Sequence, residues 1–351
     1  MKILFVMEQR VNAGSIQAVS NYVRTGAELG HEIAMFGRAD RDFPLLRWST
    51  EPGRFDYVVF IIESRLGWLT GLRLPRILND VPRQRRAILD ADGMYNQVIT
   101  VNGYDRNHAT ERDRERWLAA YGELADKVLQ PTPQPLEPNV TPLPFYGYDP
   151  QSQVSGNGTI GKPFDIIHVG HNWWRWEEIG TRLLPAIERI RSLLGKIGFM
   201  GLWWDAAPSW AAALGLEQAF QLDIERFRRL DIEVHPPVAY TNVIPTMSQA
   251  RLNLMTQRPL FRHLKLTTSK YFEIFCADTI PLVMLHPGDA ELVYGPAGRE
   301  LTLDGRLDEK LVDVLERPAR YAEIVSEVRS HLITHHSYRQ RVNELVSALA
   351  D

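Results

Sequence analysis

The sequence predicts an α/β protein made of two doubly wound, parallel-sheet domains. Three observations carry that prediction. The chain has 351 residues, and at about 150 residues per domain that suggests two. Apolar strand-like runs alternate with helical spacing along both halves, the pattern of parallel strands joined by crossover helices. The halves are separated by a proline-dense stretch, with seven prolines from Pro131 to Pro150, and a run of Ser, Asn and Gly follows at 151–161. Such texture is the mark of a linker. The expected domains are 1–150 and 151–336, with a terminal helix, 337–351, returning to the first and the linker near 145–162.

Each element has its own signal. Residues 3–7, Ile-Leu-Phe-Val-Met, form a buried-strand run. Helical spacing over 15–29 puts Ile16, Val19, Val23 and Leu29 near one face, and Gly30 stops it. Strands follow at 31–36, 55–62 and 86–89, then a helix at 111–125 and a strand at 127–130. After the linker the alternation restarts with a strand at 165–170 that ends in Gly170. Strands are expected at 196–201, 231–234, 251–255 and 279–285. Helices are expected at 177–194, 216–230, 243–250, 268–276 and 307–315, and two more close the chain at 319–333 and 338–350. Ligands of such sheets sit at the carboxyl ends of the strands, here in a cleft between two domains.

Composition narrows the class. Apolar residues make up 44% and charged residues 24%, which excludes a disordered, collagen-like or disulfide-scaffold chain. Lys+Arg number 40 against 43 Asp+Glu, a net charge of −3, so a nucleic-acid partner is not expected. Cys276 is the single cysteine, leaving no intrachain disulfide or Cys-rich zinc site. The longest apolar runs, 57–62 and 280–285, hold six residues each, far below the roughly 20 that cross a bilayer. No signal-peptide pattern opens the chain, so the expectation is a soluble, cytoplasmic protein.

The segment 267–283, Thr-Thr-Ser-Lys-Tyr-Phe-Glu-Ile-Phe-Cys-Ala-Asp-Thr-Ile-Pro-Leu-Val, carries the sharpest chemistry. Thr267, Thr268 or Ser269 can cap a helix and leave backbone N–H groups for an anion. Glu273 is an acid among Phe272, Ile274 and Phe275; a core helix with one solvated Glu is the plainer alternative. Asp90-Ala-Asp92-Gly93 follows a strand and superficially has two carboxylates at metal-ligand spacing, but a turn opening a loop is the preferred reading. Asp92 and His108 are candidate general bases, a surface histidine being the alternative for His108. Arg65, Arg73, Arg76, Arg83, Arg85 and Arg86 form a basic stretch that fits an anionic acceptor, a peripheral membrane contact or simple solvation. Six of the nine Trp lie between 173 and 210, as core or as a sugar- or base-stacking platform.

Residues 269–283, "SKYFEIFCADTIPLV", resemble the helix and strand of glycosyltransferases of the GT-B fold, in the branch related to CgeB-like proteins and glycosyltransferase group 1. Asp278 departs from the pattern, standing where Gly is usual. The opening "KILFVMEQRVNAGSIQAVSNYVRTGAELGHEI", with Gly14 in its Gly-Ser loop, is similar to the first strand, loop and helix of these enzymes. "LPFYGYDP" and "HHSYRQRVNELV" resemble the entry to the linker and the terminal helix. The resemblance implies two Rossmann-like domains, the second binding a nucleotide-diphosphate sugar such as a UDP-sugar. It implies that the loop Gly170-His-Asn-Trp-Trp-Arg175-Trp faces the diphosphate, with Arg175 at its basic position. Lys265 stands where some relatives carry an acid or base, eight residues before Glu273, and Glu273 matches the ribose-binding acid. The leaving diphosphate is then stabilised by Arg175, Lys265, Lys270 and the helix start at Thr267 and Thr268. No metal is required on this reading, and the acceptor is a glycan, a lipid-linked molecule or a small molecule, placing the protein in polysaccharide or glycoconjugate biosynthesis at the inner face of a membrane. A nucleotide-sugar 2-epimerase and a non-catalytic nucleotide-sugar binder of the same fold are the alternatives.

Overall fold

Two parallel sheets account for the alternation. In a computed structural model, which describes residues 1–8, 14–63, 74–154 and 161–350, the chain folds as two units. The first holds Met1–Gly147, Leu260–Ser269 and Ser337–Asp351; the second holds Tyr148–Pro259 and Lys270–His336. Part of the Gly-Ser loop (9–13), Arg65 and Arg73 of the basic stretch, and 155–160 of the expected linker lie outside the described residues.

The first unit contains β1 (Lys2–Val6), β2 (Glu32–Phe36), β3 (Trp48–Ser49), β4 (Tyr57–Ile62) and β5 (Arg86–Asp90). A small antiparallel hairpin, β6 (Thr100–Val101) with β7 (Asp105–Arg106), precedes β8 (Lys127–Gln130) and β9 (Val140–Pro142). The seven sheet strands run in the order β3-β2-β1-β4-β5-β8-β9, all parallel. Nearly every residue of β1, β4 and β5 is buried, as expected of strands covered on both faces. The apolar positions of helix Gly14–Glu28 point inward, Ile16, Val19 and Tyr22 being buried.

The proline-rich stretch corrects the expected linker. Val140 pairs with Val128 and Pro142 with Gln130, so these residues extend the sheet. Proline lacks a donor and is tolerated at such an edge strand. Phe145 and Tyr146 are buried in the first unit, Phe145 stacking edge-on against Phe5 at 6.0 Å, and membership changes at 147/148.

The second unit contains β10 (Phe164–Val169), β11 (Ile197–Met200), β12 (Ile232–His235), β13 (Ala250–Met255) and β14 (Ile280–Val283). Their order, β12-β11-β10-β13-β14, is again all parallel. The strand order reverses between β10 and β13, the point where ligands of this topology bind. The helix expected at 177–194 forms, but with a π-helical stretch, Ile179–Leu183, inside it. Pro185 has no N–H to give the carbonyl four residues back, and the wider turn absorbs that loss. Asp278 is explained by its partner: its carboxylate pairs with the Lys162 ammonium, which also donates to the Ser248 carbonyl at 2.7 Å. The expected helix at 216–230 is broken into Glu217–Phe220 and Ile224–Arg229, capped by Asp223.

The terminal helix Tyr338–Ala350 belongs to the first unit. Tyr338 meets Tyr22 edge-to-face at 5.8 Å, and the fully buried Arg341 pairs with Glu344 on its own helix.

Candidate functional site

The site begins with the strands that meet at the reversal. Val169 and Met255 end β10 and β13, and between them opens a recess lined by His168, Arg175, Met247, Asn253, Thr256, Lys270 and Ile274, among others. Its empty space, solvent mouth included, is about 240 Å³. Most of its walls are apolar, but its polar groups are unusual in having so few partners. Asn253 is fully buried and neither side-chain atom is hydrogen-bonded; Thr256 Oγ1 and His168 Nε2 are equally bare. Buried polar atoms normally find partners, so such a cluster marks a place for water or a polar ligand.

The loop after β10 supplies the charge. Gly170 donates its N–H to Met200 O at 2.8 Å, and its own carbonyl accepts from Trp204 Nε1 at 2.7 Å. That carbonyl would lie 2.0 Å from a Cβ on residue 201, so only glycine fits at Gly201, whose φ is +156°. The loop then turns back, and Arg175 donates through Nη1 to His171 O at 2.7 Å and through Nε to Thr256 O at 3.4 Å. Neither partner is an acid, and Arg175 makes no ion pair among the described residues. Burial and the neighbouring Arg258 push its pKa down to about 10, against the pull of Glu178. It stays cationic at neutral pH. Arg258 is itself buried, with its guanidinium 6.0 Å from the Trp174 ring centroid. Lys270 adds a third cation, paired at 3.1 Å with Glu273 on the same helix turn.

Two histidines stay neutral here. His168 Nδ1 donates to Leu254 O at 2.9 Å. Burial first, then Arg175, lowers its pKa from 6.5 to about 3. His171 is lowered to about 4 for the same reasons. A pH dependence follows. Between pH 6.5 and 3 the unfolded chain holds a proton on His168 that the folded chain refuses. Stability therefore falls as pH drops below about 6.5, by roughly 1.4 kcal/mol per pH unit for this one group. Urea midpoints at pH 7 and pH 5 should show the loss, and His168→Gln should flatten it. An unchanged slope in that variant would place the acid sensitivity elsewhere.

The expected site residues divide between the two units. Gly170, Arg175, Lys270 and Glu273 belong to the second unit, whereas Gly14, Lys265, Thr267 and Thr268 belong to the first. The latter three are a correction to the expected boundary at 150/151. Leu260, Leu264 and Leu266 pack with Ile99, Val101 and Phe261, and Gly93, at φ +75°, lets Leu264 and Leu266 approach. Thr267 donates its Oγ1 and its N–H to Pro131 O at 3.0 and 2.7 Å instead of capping the helix Lys270–Cys276. Lys265 Nζ donates to Gln134 Oε1 at 2.7 Å. Gly14 opens its helix against Ser269, whose Oγ would lie 2.4 Å from a Cβ at that position.

On the first unit, Asp90 is a structural acceptor and is not open to a metal. It is fully buried, and its two oxygens accept from Met94 N, Tyr95 N, Tyr121 Oη and Gln130 Nε2 at 2.8–2.9 Å. No group of three or more His, Cys, Asp or Glu among the described residues is arranged to hold a metal ion. His108 is 2% exposed, neither a surface residue nor one an acceptor can reach, and its Nε2 donates to Met94 O at 2.7 Å. Asp92 stands half-buried at the head of the loop that Asp90 anchors.

Arg258, Asn253 and Thr256 were not evident in the sequence. The signal was there for Arg258 and Thr256, since Thr256-Gln257-Arg258 leaves the carboxyl end of a strand beside the reversal.

No family model and no curated protein matches this chain. Solved structures do. One is an alpha-glucosyltransferase in complex with UDP and a 13-mer DNA containing a HMU base, with a TM-score of 0.60, 11% identity and 100% of each chain covered. The same type of enzyme with UDP alone gives 0.59, again at 11% identity over 100% of each chain. T4 phage BGT in complex with UDP and Mn2+ gives 0.56, at 11% identity over 99% of each chain. At these identities the likeness shows the fold, GT-B with two Rossmann-like domains. The narrower CgeB-like resemblance has no counterpart among these matches. No described helix is long and apolar enough to cross a membrane.

Proposed function

We propose that this chain is a glycosyltransferase that moves a hexosyl group from a UDP-sugar to a hydroxyl acceptor. The carrying observation is Arg175, a half-buried guanidinium with no acidic ion-pair partner among the described residues, set against a second guanidinium at the switch point of a Rossmann-like sheet. Arg175 holds its charge against carbonyl oxygens alone, and a bound diphosphate supplies the countercharge. Arginine's planar fork suits phosphate oxygens. Lys270 lines the same recess, so the leaving diphosphate is stabilised by positioned cations. Two of the similar folds hold UDP with DNA or Mn2+, which supports a uridine nucleotide as donor and opens DNA as one acceptor to try. Asp92 is our assignment for the acceptor-side base.

The test is UDP release from UDP-glucose by the whole chain, alone and with oligosaccharide, lipid-linked and hydroxymethylated-DNA acceptors. Release with any of them supports transfer. Free epimerised nucleotide sugar would favour the epimerase, and binding without turnover a non-catalytic relative. Because Arg175 and Lys270 line the recess and provide countercharge, we expect turnover to persist in EDTA; loss restored by manganese would overturn that expectation.

Glu273 is our assignment for the donor ribose. A carboxylate offers two acceptor oxygens to a vicinal diol, and Glu273 also holds the Lys270 ammonium. Glu273→Ala should weaken UDP binding by about 10- to 100-fold, and Glu273→Gln by less, since one acceptor remains. Equal affinities by calorimetry would remove Glu273 from the site.

A further inference from the structure

The tryptophan-rich stretch is left over by the donor reading. Trp174 and Trp204 are buried, but Trp210 is 40% exposed and Trp173 and Trp203 are partly so. These three pack around Phe220. Trp203 meets Phe220 at 5.0 Å and 71°, Trp210 meets Phe220 at 5.5 Å and 86°, and Trp173 meets Phe220 at 5.3 Å and 62°. Trp203 and Trp210 stand 5.9 Å apart at 87°. Edge-to-face packing of this kind is favourable and fixes the rings before any ligand arrives. The backbone is committed as well: Trp203 has φ +69°, a left-handed conformation rare for a bulky residue, held by Asn172 Nδ2 donating to its carbonyl at 3.0 Å.

The chemistry around the rings is neutral to acidic. Residues 201–222 contain Asp205 and Glu217 and no Lys or Arg. Asp205, Glu217 and Gln218 are exposed. His171 lies with its ring 5.5 Å from Trp203, and its Nδ1 accepts from Leu202 N at 3.0 Å. Its Nε2 therefore carries the proton of the neutral ring.

We propose that this face binds an uncharged glycan, with pyranose rings lying on Trp173, Trp203 and Trp210. A pyranose presents C–H groups on its faces and hydroxyls at its rim. The indoles take the former, while His171 Nε2–H and the carboxylate and amide groups beside the rings take the latter. A nucleic-acid backbone or an anionic bilayer needs exposed cations; residues 201–222 have none, and the arginine beside Trp173, Arg175, is half-buried and bonded to His171 O and Thr256 O. A nucleobase sandwich needs parallel ring faces, and the three tryptophans stand at 43°, 52° and 87° to one another. The face rests on its own ring cluster and not on the donor recess, although both use the loop that carries Trp173 and Arg175. In a glycan-extending transferase it holds the acceptor chain.

Titrating the whole chain with cellohexaose, maltohexaose and chitohexaose, read by tryptophan fluorescence and calorimetry, tests this. At least one should give a saturable shift. Trp210→Ala and Trp203→Ala should each weaken it by about tenfold or more, and Trp210→Phe should retain most of it. UDP affinity of Trp210→Ala should match wild type, which separates this face from the donor site and certifies the fold. The proposal is overturned if none of the three sugars binds, or if Trp210→Ala binds as wild type does. It is equally overturned if the exposed rings serve instead to bind phosphatidylcholine vesicles or to form a dimer that Trp210→Ala abolishes.

Discussion

Arg175→Ala should weaken UDP binding by about 10- to 100-fold, the equivalent of losing hydrogen bonds to a charged group worth roughly 1.5–3 kcal/mol. The fold should survive. Arg175 spends its bonds on two carbonyl oxygens, His171 O and Thr256 O, and carbonyls tolerate a lost partner better than N–H groups do. Arg175→Lys should fall between wild type and alanine, since it keeps the charge and loses the fork. Thermal shift gives a second readout: at 100 times its dissociation constant UDP should raise stability by about 2.7 kcal/mol in wild type, and the same UDP concentration much less in the alanine variant. The salt dependence should be shallower without the guanidinium. Unchanged UDP affinity in a folded Arg175→Ala protein would move the anion site away from this loop and remove the main support for the donor assignment.

The recess shows which parts of a site a sequence can express. The strands around it were legible because burial on both faces leaves near-continuous apolar runs, as in residues 3–7 and 165–170. Arg175, which lines the recess, was legible through the family resemblance of the loop that leaves β10. The floor was not. Asn253 sits within β13, where one polar residue reads as ordinary alternation, and only the packed structure shows that it is fully buried without a partner. Short edge elements were lost for a related reason. The two residues of β3 and the three of β9 carry too little pattern, and Pro142 read as a linker residue rather than as the end of an edge strand. The segment 260–269 misled because its local signals are those of a helix cap. What decides its place is long-range: Asp105 accepting from Leu260 N at 2.8 Å, Thr132 donating to Leu264 O at 3.1 Å, and Pro131 accepting from Thr267.

Asp90→Ala should cost the first unit about 3–5 kcal/mol, because four donors lose one buried acceptor at once. Burial raises the Asp90 carboxyl above its ordinary pKa, while the four hydrogen bonds pull it back down, burial being the larger influence. With the carboxylate gone, the N–H groups of Met94 and Tyr95, the Tyr121 hydroxyl and the Gln130 amide would face each other in a dry core. Asp90→Asn should cost less than the alanine change, since it keeps the shape and one acceptor. The effect has a location. Asp90 ends β5 and pins the start of the loop that carries Asp92, so amide protection should fall over 86–96 and hold over 164–169 in the second unit. Hydrogen exchange on the full chain measures both in one experiment, with urea unfolding for the magnitude. If Asp92 is the base, turnover should fall in Asp90→Asn while UDP affinity, which we assign to the other unit, stays constant. An Asp90→Ala chain with wild-type exchange over 86–96 would show that the four bonds do not hold this loop, and with them would go the argument that Asp90 is closed to a metal.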